Sequence, residues 1–208
     1  YNVGVIGVGY WGRKIVDEYS KVEEVNLIGV SDLDEKNLAF CNEKYGVKNG
    51  YSDYKQLLAQ KELHAVNICT PNQMHYRITK DALEAGKNVL VEKPITLNSK
   101  EGKELVDLAQ KKKLTLSVGH IFRFNNALTE IRRMIKEENY FGKLFLIECD
   151  WLNLEKAFPD RDVLFDLAPH MFDIQNYLTD QWPVEISCMG GPFRRKDGEE
   201  TAYVAAKF

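Results

Sequence analysis

Short apolar runs alternate with amphipathic stretches through the first 120 residues. Tyr1 to Gly7 is apolar and β-branched, as a strand buried on both faces should be. A helical stretch from Gly12 to Ser20 follows, then a second apolar run from Val25 to Val30. Asp34 to Tyr45 reads as a helix stopped by Gly46. A short strand near Lys48 to Tyr51 and a brief helix over Asp53 to Ala59 come next. Ala65 to Cys69 is again a buried strand. Met74 to Ala85 sets Met74, Ile78, Ala82 and Ala85 on one helical face and stops at Gly86. Asn88 to Val91 is a strand. A helix capped by Asn98 or Ser99 runs to Gln110, and Leu114 to Gly119 closes the series. Strands alternating with helices predict a doubly wound parallel α/β sheet with right-handed crossovers.

After His120 the rhythm changes. Asn125 to Glu138 aligns Leu128, Ile131, Met134 and Ile135 on one helical face. Lys143 to Asn153 reads as one long strand, with Phe145, Ile147, Cys149 and Trp151 opposite Glu148 and Asp150. A helix is expected over Asp166 to Leu178, and strands over Val184 to Met189 and Thr201 to Phe208. The predicted organisation is two domains, 1–120 and 121–208, the second an α+β domain with a largely antiparallel open sheet. The chain ends inside a strand, so that second sheet is expected to be incomplete.

Composition narrows the classes. Of the 208 residues, 44% are hydrophobic and 28% charged, and the formal net charge is −3, which disfavours a duplex-binding role. Lys111-Lys112-Lys113 sits at a helix end, where cations favour the dipole, so no nucleic-acid partner is expected. Cys41, Cys69, Cys149 and Cys188 form no C-x-x-C pair and have no histidine at ligand spacing, so they read as thiols of a reduced, cytoplasmic compartment with no metal. No apolar run approaches the roughly 20 residues of a membrane helix.

Candidate chemistry begins at Gly7-Val8-Gly9-Tyr10-Trp11-Gly12, a G-x-G-x-x-G between strand and helix. Gly7 allows the tight turn, Gly9 a close pyrophosphate and Gly12 the packing of helix on strand, while Tyr10 and Trp11 line the turn. The helix N-terminus adds N–H donors for phosphate. Asp32 ends the second strand, where an acid holds the adenosine ribose hydroxyls. A 2′-phosphate at about 4 Å from that carboxylate would cost roughly 4 kcal/mol per charge pair at an effective dielectric near 20, so NAD is favoured over NADP. An S-adenosylmethionine site shares the glycine loop and acid but leaves the strand-end residues unexplained.

Ligands of open α/β sheets sit beyond the carboxyl ends of the strands. Thr70-Pro71-Asn72 and Glu92-Lys93-Pro94 lie there, with His75 in the first turn of the helix after Pro71, so Thr70, Pro71, Asn72, His75, Glu92 and Lys93 are candidates for lining the nicotinamide end of the cofactor cleft. Lys93 can donate to a reacting oxygen and stabilise a developing alkoxide. In Asp166-Leu167-Ala168-Pro169-His170-Met171-Phe172-Asp173, offsets of four and seven put Asp166, His170 and Asp173 on one face if the segment is helical throughout. Pro169 requires the helix to begin near Asp166, which could also serve as its N-cap. His170 suits a general base near neutrality.

On these motifs the chain resembles the glucose–fructose oxidoreductase / inositol dehydrogenase (Gfo/Idh/MocA) family. The resemblance implies a Rossmann domain, an NAD(P)-dependent dehydrogenase acting on CH–OH groups, and Lys93 and His170 as the catalytic pair, Asp166 assisting and Asp173 lining a polyol site. It also implies a cis Lys93–Pro94 bond and homo-oligomers built through the second-domain sheet. Ala168-Pro169 departs from the glycine many relatives carry in D-x-G-x-H. With Gly119 to Asn125, it is similar to the branch acting on nucleotide-linked amino sugars, where Arg123 would meet a substrate carboxylate or phosphate. The expected reaction is hydride transfer between nicotinamide and a sugar, cyclitol or nucleotide-sugar hydroxyl lying between Lys93 and His170. The alternatives are a non-catalytic dinucleotide or sugar sensor and an imine or enamine reductase.

Overall fold

The computed structural model describes residues 1–152, 162–194 and 199–208. The chain divides into two compact units, Tyr1–Gly119 and His120–Phe208.

The first unit is a six-stranded parallel sheet in the order β3-β2-β1-β4-β5-β6. Its strands are β1 (Asn2–Ile6), β2 (Asn26–Ser31), β3 (Gly50–Tyr51), β4 (Ala65–Ile68), β5 (Asn88–Val91) and β6 (Leu116–Val118). The helices between them are α1 (Tyr10–Tyr19), α2 (Glu35–Tyr45), α3 (Tyr54–Leu58), α4 (Asn72–Glu84) and α5 (Ser99–Lys112). Side chains alternate across a strand, and neighbouring residues of β1 serve two cores. Val5 packs with Val8, Val16, Val30, Cys41 and Val47 in the cluster of α1 and α2. Ile6 packs with Leu57, Ile68, Ile78, Leu83, Val91 and Leu105 in the cluster of α3, α4 and α5. This is the doubly wound arrangement expected from strand–helix alternation.

Polar residues set the helix ends. Asp34 accepts from the Lys36 N–H, Asp53 from Lys55 and Asn98 from Lys100, the N-cap bonds each helix start needs. Helix α1 starts at Tyr10, two residues before the expected start, with Gly9 as an N-cap that offers no side-chain bond. Its first-turn N–H groups are therefore left for another acceptor. Strand order reverses between β1 and β4, and the crevice of such a sheet opens at the carboxyl ends of those two strands.

The second unit contains a 3-10 turn (Ile121–Phe124), α6 (Asn126–Lys136), α7 (Val163–Asp166), α8 (Ala168–Thr179), β7 (Glu185–Gly191) and β8 (Thr201–Lys207). β7 and β8 pair antiparallel, Glu185 opposite Lys207 through Gly191 opposite Thr201.

Two expectations are corrected here. Residues 144–152 form no strand, and Asn153 lies outside the described residues. A strand needs a partner ladder for its N–H and C=O groups; among the described residues this segment ladders with neither β7 nor β8, and Phe145, Leu146 and Leu152 are exposed. The open sheet accordingly has two strands among the described residues. The helix expected from Asp166 is broken at Leu167, so Asp166 ends α7 and does not cap α8. Pro169 is the reason: it has no N–H and its ring would strike the carbonyl four residues back, so it is accommodated in the first turn of a new helix. Asp162 supplies the cap of α7, accepting from the Phe165 N–H at 2.9 Å.

Candidate functional site

In the first unit the glycine turn leaves β1 at the switch point. Gly7 has φ +85°, and a Cβ there would lie 2.9 Å from the carbonyl of Cys69 and the N–H of Thr70. The turn and the loop after β4 therefore touch backbone to backbone. A Cβ on Gly12 would fall 1.9 Å from the Gly7 carbonyl oxygen, so α1 can start this close to β1 only with glycine there. At Gly9 a Cβ would meet nothing within 4 Å, which leaves open space over the uncapped start of α1. Open space above free N–H donors is what a pyrophosphate requires.

Asp32 stands directly after β2. Its Oδ2 accepts from the Val8 N–H at 2.8 Å and its Oδ1 from the Asp34 N–H at 2.9 Å. Each oxygen retains acceptor capacity, and the carboxylate is tied to the glycine turn itself. Arg13 points elsewhere: its Nε donates to the Val8 carbonyl at 3.3 Å and its guanidinium stacks 4.0 Å above Phe40. Tyr10 is 80% exposed at the rim of the turn.

The loops after β4 and β5 carry the remaining candidates. Pro71 precedes α4 and Asn72 opens it. The Thr70 hydroxyl is buried without a hydrogen-bond partner, an orphan that a ligand at the strand ends would satisfy. The Lys93–Pro94 bond is cis. Glu92 accepts from Trp11 Nε1 at 2.8 Å, joining the loop after β5 to the glycine turn. Burial pushes the Glu92 carboxyl above the ordinary range, against the Trp11 bond and the charges of Lys93 and His75. His75 is wholly buried, with Nδ1 2.7 Å from the Pro94 carbonyl and Nε2 2.8 Å from the Thr70 carbonyl. Both nitrogens face protein oxygens, so a direct cofactor contact is not what this geometry offers. Burial raises the Cys69 thiol well above its ordinary value, which keeps it protonated and inert.

In the second unit His170 lies near the start of α8 and is 7% exposed. Trp151 stacks on its ring at 5.7 Å and 16°, and Phe122 meets it edge-on at 5.1 Å and 81°. The two aromatic rings also contact each other at 5.5 Å, so they fix the imidazole plane from two sides. Asp173, one turn on, is 7% exposed. Arg123 Nε donates to both Asp173 oxygens at 2.8 and 3.0 Å, and its Nη2 to Asn176 Oδ1 at 3.0 Å. His120 Nδ1 is 3.8 Å from Asp173 Oδ2. Arg123 and Asp173, expected to touch substrate separately, are thus paired with each other. The Asp173 carboxylate holds the guanidinium above its ordinary range.

That pair carries a stability prediction. Arg123→Met leaves a nearly buried carboxylate without its main donor, which should destabilise the fold by about 1–3 kcal/mol. Adding Asp173→Asn should recover part of that loss. Denaturant melts of the two variants and the parent read both effects.

Spacing gives no sign of the Trp151 and Phe122 rings on His170, of His120 beside Asp173 or of the Trp11–Glu92 bond. Aromatic contacts across about 20 to 50 positions leave no local pattern, and only Trp151, at a half-apolar alternation, carried any signal. Among the described residues no cluster of three His, Cys, Asp or Glu could hold a metal ion, and no helix is long and apolar enough to cross a membrane.

A doubly wound parallel sheet with a glycine turn at its switch point and an acid directly after its second strand is the arrangement of the dinucleotide-binding Rossmann class. The chain belongs to the Gfo/Idh/MocA oxidoreductase family: the model of that family's NAD-binding Rossmann fold matches residues 1–120. It is 33% identical over 188 residues to the UDP-N-acetylglucosamine 3-dehydrogenase of Acidithiobacillus ferrooxidans, covering 90% of this chain and 57% of that protein. It is 25% identical over 195 residues to the myo-inositol 2-dehydrogenase of Thermotoga maritima, covering 90% and 58%. The chain thus spans somewhat more than half the length of these curated relatives. In fold it is similar to a scyllo-inositol dehydrogenase of Lactobacillus casei solved with NAD(H) and scyllo-inositol, with a TM-score of 0.84 at 17% identity over 99% of this chain and 65% of that one.

Proposed function

We propose that the protein is an NAD-dependent dehydrogenase that oxidises a secondary hydroxyl of a sugar, cyclitol or nucleotide sugar, or reduces the matching carbonyl. The observation that carries this reading is the strand-end cradle: an open Gly9, a glycine-only contact at Gly12 and a backbone-anchored Asp32, with Lys93 two residues beyond the end of β5. The named relatives act on a nucleotide sugar and on a cyclitol, which supports the substrate class.

When bound, the nicotinamide supplies a hydride acceptor. The turn from Gly7 to Gly12 would bind the pyrophosphate through backbone N–H groups, and Asp32 the adenosine ribose. Thr70, Pro71, Asn72, Glu92 and Lys93 would line the nicotinamide side. The Lys93 ammonium would donate to the substrate oxygen and steady its charge as the alkoxide develops. His170 would hold the hydroxyl proton at a ring nitrogen, its plane fixed by Trp151 and Phe122. Asp166 would assist His170, and Arg123 with Asp173 would meet polar groups of the substrate. A cytoplasmic location, and assembly into a homo-oligomer through the β7–β8 sheet, belong to the same reading; Ile186, Met189 and Tyr203 on that sheet are exposed.

The test is a panel of cyclitols, free sugars and UDP-sugars assayed for NAD reduction by the full chain. Oxidation of at least one member supports the reading. NAD binding with no reduction by any member would instead favour a sensor. Cofactor choice gives a separate prediction. Asp32→Ala removes the carboxylate that opposes a 2′-phosphate, so the preference for NAD over NADP should shrink by about ten-fold or more, given roughly 4 kcal/mol for a charge pair at 4 Å. Titration calorimetry with each dinucleotide measures it, and an unchanged ratio would remove Asp32 from the ribose site.

A further inference from the structure

The His75 ring has a donor count that a neutral histidine cannot meet. Nδ1 lies 2.7 Å from the Pro94 carbonyl oxygen and Nε2 lies 2.8 Å from the Thr70 carbonyl oxygen. A carbonyl only accepts. A neutral imidazole carries one N–H, so one of these two contacts would set a ring lone pair against an oxygen lone pair. The imidazolium carries two and makes both contacts hydrogen bonds. The ring is fully buried, so water cannot take over either contact.

We propose that His75 is a buried imidazolium that braces the two strand-end loops against each other and so positions Lys93. The two carbonyls belong to the segments that carry Thr70-Pro71-Asn72 and Glu92-Lys93-Pro94, one beyond β4 and one beyond β5. One doubly donating ring fixes the spacing between them. The charged groups around it act in both directions. The Glu92 carboxyl and the ring charge attract each other, while the Lys93 ammonium, also beside Glu92, competes for the same carboxyl. The start of α4 presents its positive dipole end to the ring. The Cys69 thiol at the end of β4 is protonated and adds no charge. Two short carbonyl bonds and one nearby acid are what offset the dipole and the burial.

The positioning half of the proposal rests on the dehydrogenase reading; the protonation half does not. The experiment separates them. The full chain, labelled with 15N-histidine, is examined by long-range 1H–15N correlation near neutral pH. There are four histidines, and the His75 signals are those lost in His75→Gln. Two protonated-type ring nitrogens for His75 are expected. One protonated and one bare nitrogen would overturn the imidazolium, whatever the enzyme does. The same variant is assayed with the substrate found in the panel. The expectation is a fall in kcat on the order of 10²-fold with NAD affinity nearly unchanged, because Lys93 is displaced rather than lost. An unchanged kcat in a folded variant would overturn the positioning role. If the parent protein reduces no NAD, the dehydrogenase reading fails, and the nitrogen signals still decide the state of the ring.

Discussion

Lys93→Met and His170→Ala are each expected to lower kcat by on the order of 10²- to 10⁴-fold, the range carried by one positioned acid or base. NAD affinity should stay close to that of the parent in both. The reason lies in where each group sits. Lys93 is two residues beyond the end of β5, on the side that would hold the nicotinamide and not the phosphates, and methionine keeps most of its bulk while removing the ammonium. His170 belongs to the second unit, and the cradle of Gly7, Gly9, Gly12 and Asp32 belongs to the first. Steady-state rates paired with NAD titrations separate chemistry from cofactor binding. The two variants should differ in pH profile. Without His170 the reaction should recover partly at higher pH, where hydroxide replaces the base. Full rates in both would end the assignment of these residues.

The second large effect concerns the glycines, and the pair Gly12→Val and Gly9→Ala tests it. A Cβ at Gly12 would stand 1.9 Å from the Gly7 carbonyl oxygen, a backbone atom with little room to move because Gly7 itself abuts Cys69 and Thr70. Valine there must push α1 off β1, opening the core around Val5, Val8 and Val16. Loss of several kcal/mol of stability is expected, about what a large-to-small core substitution costs. NAD binding should be lost with it. At Gly9 the backbone is ordinary, with φ −68°, and a methyl group meets no protein atom within 4 Å. Gly9→Ala should therefore keep the parent melting temperature and still weaken NAD, since the methyl occupies the space proposed for the pyrophosphate. Equal NAD affinity in a folded Gly9→Ala protein would mean the phosphates lie elsewhere.

Much of the first unit was legible because its signals are local. Apolar runs bounded by polar caps mark parallel strands, and Asp34, Asp53 and Asn98 announce the helix starts they cap. The glycine turn and Asp32 are likewise close in sequence or at a fixed offset. The second unit was harder to read. Residues 144–152 alternate as a strand should, yet alternation specifies only a face, and a ladder needs a partner at the right distance. The segment from Asp166 to Asp173 reads as continuous by period, but Pro169 splits it at Leu167, so one proline outweighs three residues at matching offsets. Contacts between distant positions were the least visible. The clamp of Trp151 and Phe122 on His170, the pairing of Arg123 with Asp173, and the bridge of His75 between two carbonyls all join residues with no shared periodicity. Sequence could name such residues as candidates. It could not say which of them face each other.

Isotope transfer tests the central claim most directly. The full chain is incubated with NAD and either perdeuterated myo-inositol or UDP-N-acetylglucosamine deuterated on its ring carbons, and the nicotinamide product is weighed by mass spectrometry. Hydride transfer from a carbinol carbon predicts NADH carrying one deuterium with at least one of these compounds or with another deuterated member of the panel. NADH without the label, or no NADH from any of them, would contradict the account.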